Sequence, residues 1–138
     1  MKRYEFIKHT ADIGIKVYGK DKKSLFLNAA YAFFALITDL KTVTPKKEIK
    51  LEVKGQDLED LFFNWLDELL FLFDTKGFVG CEITIEKLEQ KKILAKIKGE
   101  NFNPQKHPLN TCIKAVTYHN FKVNHIDDRF QAQVIFDI

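Results

Sequence analysis

Serine is nearly missing from this chain: one residue, Ser24, in 138. Because Ser24 falls inside a predicted helix, a serine-nucleophile hydrolase is excluded. Cysteine is also scarce. Cys81 and Cys112 stand alone, without CxxC spacing, so neither a zinc ribbon nor a disulfide framework is signalled. Both are expected to be buried, inert, reduced thiols of a cytoplasmic protein. The six glycines are scattered and form neither GxGxxG nor GxxxxGK[ST], which removes the common phosphate-binding loops. The four histidines, His9, His107, His119 and His125, lack HExxH or HxH spacing, so a transition-metal site would need the fold to gather them. No apolar leader follows Met1-Lys2-Arg3-Tyr4-Glu5, and no apolar run approaches membrane-spanning length, so no membrane partner is expected. A strong excess of one charge is absent as well. Lys and Arg number 22 against 19 Asp and Glu, dispersed as KDKK, KK and EQKK, which is a weak signal for nucleic acid.

What the chain does have is 46% apolar composition and thirteen phenylalanines beside a single Trp and a single Met. That is enough for one compact domain over residues 1–138, with a core of rigid aromatic rings. Tyr4–Phe6 reads as a short strand. Ile13, Ile15 and Val17 alternate with Gly14, Lys16 and Tyr18 as a second, with Asp12 at its start on the face opposite the aliphatic stripe. Asp21 is placed to cap a helix over about 22–38, and Asp39 follows it, where a carboxylate opposes the helix dipole. Ile49, Leu51 and Val53 mark a strand ended by Gly55.

Asp57 then caps the clearest helix, whose Leu58, Leu61, Phe62, Trp65, Leu66, Leu69, Leu70 and Phe73 share a stripe closed by Gly77. Phe63, Phe71 and Leu72 lie off that stripe, so this helix is either sandwiched or forms an interface. Cys81–Ile85 and Ile93–Ile97 read as a hairpin joined through Glu89–Lys92. A loop over 101–110 precedes strands over 113–123 and 130–137. In the last strand Phe130, Ala132, Val134 and Phe136 face inward, which leaves Ile135 and Asp137 outward. The expected class is α+β: two main helices packed on a mixed, largely antiparallel sheet in a single domain.

A hard cation requires carboxylates, backbone oxygens and water, and Asp12, Asp137 and the terminal carboxylate of Ile138 are the charged donors available at strand ends. Held together, such groups repel unless a cation neutralises them. Calcium tolerates an irregular shell better than magnesium, with manganese a further alternative. His9 is the histidine best placed to orient a ligand.

Four segments in order, His9-Thr10-Ala11-Asp12-Ile13-Gly14-Ile15, the helix from Asp57 to Leu70, Lys114-Ala115-Val116-Thr117-Tyr118-His119, and Val134-Ile135-Phe136-Asp137-Ile138, together resemble the archease family over essentially the whole chain. The resemblance implies a small α+β protein that is not itself an enzyme. It implies a cofactor of the RtcB-type RNA ligase in tRNA splicing and RNA repair, which promotes metal- and GTP-dependent guanylylation of the ligase histidine and multiple turnover. It also implies a metal, calcium foremost, on Asp12, Asp137 and Ile138, and singles out Lys114 as able to contact a phosphate or an acidic patch on the ligase. Lys114, His9 and Asp39 are therefore the ligase-activation candidates. The family commonly has a glutamate before the aliphatic-Lys-Ala step, where this chain has Cys112-Ile113-Lys114. The competing reading is a tRNA-binding chaperone or modification-targeting module that uses Lys92, Lys96, Lys98 and Lys106, with tRNA otherwise contacted only weakly or indirectly.

Overall fold

A computed structural model of the chain describes residues 2–8 and 10–138. The elements in order are β1 (Tyr4–Lys8), β2 (Asp12–Gly19), α1 (Lys22–Ile37), a 3-10 turn (Leu40–Thr42), β3 (Lys47–Lys54), α2 (Leu58–Lys76), β4 (Phe78–Leu88), β5 (Lys92–Asn101), β6 (Ala115–Ile126) and β7 (Arg129–Asp137). They form the expected α+β fold, but the strands divide into two sheets: β1-β2-β7-β6 and β3-β5-β4. Every pairing among the described residues is antiparallel.

Local chemistry sets the helix ends. Asp21 accepts the Ser24 amide at 2.7 Å while the Ser24 hydroxyl accepts the Asp21 amide at 3.1 Å, so the lone serine completes a capping box. The Ser24 hydroxyl also donates to Asp21 Oδ1 at 2.6 Å, and this bond, with that from the Ser24 amide, holds the Asp21 carboxyl below its ordinary range. Asp57 caps α2 through the Asp60 amide at 2.9 Å. Gly77, at φ +64°, ends it in the left-handed region that only glycine enters without strain.

The core lies between the sheets and is filled by the two helices. α1 is buried on most of its circumference, and adjacent residues serve opposite sheets. Phe33 meets Phe136 of β7 edge-on at 6.0 Å, and Phe34 meets Phe78 of β4 at 6.5 Å. An apolar surface that wraps a helix in this way is stable only when both sides are covered. α2 packs beside it through Phe26 and Phe62 at 5.2 Å, and the Trp65 indole N–H donates to the Phe26 carbonyl at 3.0 Å. Phe63 and Leu72, off the main stripe, are both buried, so of the two expected alternatives α2 takes the sandwiched one; of these three off-stripe residues Phe71 alone stands out, at 56% exposure.

Two irregularities shape the first sheet. Ile135, on the outer face of β7, is nonetheless buried, because it lies over Gly14 of β2, where a Cβ would stand 3.0 Å from its Cδ1. In β6 the register jumps: Thr117 pairs Ile135 and Lys122 pairs Gln133, so residues 118–121 bulge opposite Val134 alone. Asn120 turns the bulge at φ +52°, and Tyr118 stacks on Phe63 of α2 at 3.9 Å with its ring nearly parallel.

Candidate metal centre at three strand ends

Asp12 opens β2, Asp137 closes β7, and Ala115 opens β6; the three are register partners across the sheet. Directly opposed residues in an antiparallel pair share a face, with Cβ atoms roughly 4.5–5.5 Å apart. The two carboxylates therefore leave the same outer surface at the same edge. Lys114 is tied to this corner by its backbone, whose N–H donates to the Asp137 carbonyl at 2.8 Å, while its side chain is exposed. Ile138 follows directly and is 37% exposed.

Asp12 Oδ1 is buried and has no hydrogen-bond partner among the described residues. A buried acceptor left unsatisfied costs about 1–3 kcal/mol, more when charged, and here a second carboxylate stands across the strand. Such an oxygen asks for a cation. Among the described residues the donor set is oxygen only, which suits a hard divalent ion better than zinc. Among the described residues no group of three or more His, Cys, Asp or Glu side chains gathers, so the shell would draw on two carboxylates, backbone oxygen from Ile138 and water. His9, the candidate for orienting a ligand, lies outside the described residues.

The structure does not bring Asp39 to this corner. Its Oδ1 accepts the Lys41 amide at 3.1 Å and so caps the 3-10 turn after α1, and it lines a groove with Tyr4 and Asn110 that contains none of Asp12, Asp137 and Ile138. A groove of about 620 Å³ near the start of α1, bordered by Lys22, Glu86, Lys87 and Phe130, lies at the far end of β2, where acids and lysines alternate without converging on one point. The expected burial of both thiols is corrected at Cys112, which is exposed on the irregular segment before β6; Cys81 is half-buried, and burial pushes its thiol up.

Sequence reasoning missed Glu100. Buried at the end of β5, its carboxylate accepts the Thr44 amide (2.7 Å), the Lys106 ammonium (2.7 Å) and the His107 ring (3.0 Å). The Asn103 amide donates to His107 Nδ1 at 2.8 Å, which leaves the ring hydrogen on Nε2, facing Glu100. These bonds, Lys106 foremost, hold the Glu100 carboxyl at about 2. The only hint in the sequence is the adjacency of Lys106 and His107, because Thr44 comes from a distant loop.

The lysines named for RNA contact are largely neutralised. Lys92 faces Glu52 at 3.8 Å, Lys96 faces Glu86 at 3.4 Å and Lys106 faces Glu100 at 2.7 Å, while Lys98 sits in register between Glu48 and Glu82. Among the described residues no helix is long and apolar enough to cross a membrane.

Residues 4–138 match the model of the Archease protein family. The protein archease of Pyrococcus furiosus is 41% identical over 142 residues, covering both chains in full, and that of Methanopyrus kandleri is 37% identical over 138 residues, covering 98% and 99% of the two chains. The solution structure of Methanobacterium thermoautotrophicum protein 1598 superposes with a TM-score of 0.83 at 33% identity, with full coverage of each chain. The crystal structure of a Thermotoga maritima archease, described as a possible chaperone, shares the fold with a TM-score of 0.66 at 23% identity, covering 96% and 94%. The paired strand-end aspartates thus sit in a fold and a sequence pattern that agree along the whole length, and this chain belongs to the archease family.

Proposed function

We propose that this protein activates an RtcB-type RNA ligase in tRNA splicing and RNA repair, promoting guanylylation of the ligase histidine without performing the chemistry itself. The observation that carries this reading is the buried Asp12 oxygen, without a partner among the described residues, beside Asp137 at one corner of an archease fold. Asp12, Asp137 and the backbone oxygen of Ile138 would hold the cation, with calcium the best fit to so irregular a donor set. When bound, a divalent ion supplies positive charge where phosphate oxygens must be neutralised. The chain's own part is positional. The β2–β7 pairing fixes the two carboxylates relative to each other, and Lys114, anchored through its amide, leaves an exposed ammonium available to a phosphate or to acidic residues of the ligase. A cytoplasmic setting follows from such a partner.

Multiple-turnover ligation with the cognate ligase tests this. Asp12→Ala and Asp137→Ala, verified as folded, are expected to lose most of the stimulation. Full stimulation by both would refute the role of the corner. Salt-sensitive tRNA binding by the protein alone, undiminished in the same variants, would favour the tRNA-chaperone reading instead, although the pairing of its lysines with glutamates argues against it.

A further inference from the structure

Among the described residues β1 and β6 border one sheet, and β3 and β4 border the other. Three of these edges are guarded against pairing with another chain. β1 has five residues, β6 is broken by its bulge, and β4 carries two register shifts, with its Ile83 amide taken by the Tyr31 hydroxyl at 3.1 Å. β3 has none of these devices. Its eight residues, Lys47–Lys54, run in unbroken register along β5.

The ladder sets the direction of the backbone groups. The Gly55 amide donates to the Lys91 carbonyl at 2.9 Å in that same register, so Ile49, Leu51 and Val53 spend their amides and carbonyls on β5. Glu48, Lys50, Glu52 and Lys54 turn theirs away from the sheet. Of these outward groups only the Lys54 carbonyl finds a partner among the described residues, the Asn64 carboxamide at 3.0 Å. The four side chains share the solvent face and alternate in sign. Lys50 stands in register with Lys96, and among the described residues no acid lies at ion-pair distance from it.

We infer that β3 pairs antiparallel with β3 of a second copy of this chain, about a two-fold axis at Leu51, to join the two β3-β5-β4 sheets into one. An arriving strand must set its own outward-bonding residues directly against Glu48, Lys50, Glu52 and Lys54. In this register Lys50 meets the partner's Glu52, and Glu48 meets the partner's Lys54. On the other face Leu51 meets its own equivalent and the half-buried Ile49 meets the partner's Val53, which continues the apolar layer. A slip of two residues in either direction brings Lys50 or Glu52 against itself, and a slip of one sets the charged face against the apolar one. Lysines on an edge ordinarily repel a copy, whereas here each meets a glutamate. The Asn64 cap on the Lys54 carbonyl leaves Lys50 and Glu52 as the centre of the ladder. β3 holds none of the corner residues, so the pairing stands apart from the ligase reading.

The test is sedimentation equilibrium of the full chain from micromolar to millimolar concentration, which is expected to show a reversible monomer–dimer equilibrium. Lys50→Glu and Glu52→Lys each set like charges across the axis twice and should weaken the dimer about tenfold or more. Both side chains are exposed, so both variants should keep the wild-type fold. Mixed in equal amounts, the two variants complement each other, and a dimer of wild-type strength should return. Hydrogen exchange should slow at the Lys50 and Glu52 amides as the dimer forms, while the Leu51 amide, already bonded to β5, should not change. A monomer at every concentration, a dimer indifferent to either substitution, a mixture that stays monomeric, or protection confined to other strands would overturn the pairing.

Discussion

Calcium should raise the melting temperature of this protein by a constant step for each tenfold rise in concentration, and Asp12→Asn should abolish that step. The ligands stand 125 positions apart in the chain and meet only through the β2–β7 pairing, so the unfolded chain offers no equivalent site. Above the dissociation constant, a ligand that binds only the folded state adds about 1.4 kcal/mol per decade of concentration. The unfolding entropy of a 138-residue domain, at about 2.1 cal/mol/K per residue, is about 0.29 kcal/mol/K. The expected step is therefore about 5 °C per decade. Asn keeps the shape of Asp12 but removes a charge facing Asp137, an interaction of about 1 kcal/mol at 4 Å in a watery dielectric. Without metal, the variant should then melt at the wild-type temperature or up to about 3 °C above it. The assay is calorimetry of chelator-stripped protein titrated with calcium at fixed ionic strength, so that general screening is held constant. A flat wild-type response into millimolar calcium, or an equal slope in Asp12→Asn, would refute the reasoning.

Trp65→Phe should destabilise the fold by about 1–3 kcal/mol in urea unfolding, because it opens a gap in the fully buried core and removes the indole bond that ties α2 to the Phe26 carbonyl of α1. Glu100→Gln should change the acid limb of stability. The folded carboxyl, at about 2, lies below its ordinary 4.5, so its contribution is complete above pH 4.5 and is lost as pH falls toward 2. The Gln variant should melt lower at neutral pH and show a shallower decline across that window; parallel profiles would show that the Lys106, Thr44 and His107 contacts add nothing.

Local pattern made the elements legible. Both helices carry their caps in sequence, at Asp21 and at Asp57 with Gly77, and the alternation around Ile13–Val17 placed Asp12 on the outer face where it is found. The division into two sheets was not legible, because it depends on β3 pairing with β5 across the whole of α2 and β4, a choice no local period encodes. Ile135 escaped the face rule because the space that buries it is made by the missing side chain of Gly14 on another strand. The Glu100 cluster was hidden for the same reason: its partners, Thr44 and His107, come from loops on either side of the strand. At the candidate site the two aspartates were legible from their places at strand ends, and the family pattern paired them. That one oxygen of Asp12 is buried, with no partner among the described residues, follows from the packing around β2 and is not visible in the sequence.

The bulge in β6 has a consequence for solubility. β6 is an outermost strand of its sheet, and a long outermost strand presents a row of unpaired amides and carbonyls on which another chain can grow. Residues 118–121 divide that row into a three-residue stretch before the bulge and a five-residue stretch after it, with Tyr118 drawn onto α2 and Asn120 turned left-handed between them. A strand arriving from solution can keep register with one stretch but not with both. The opposite flank, β1, is only five residues long. The sheet that carries the aspartates is thus bordered by edges too short or too broken to seed aggregation.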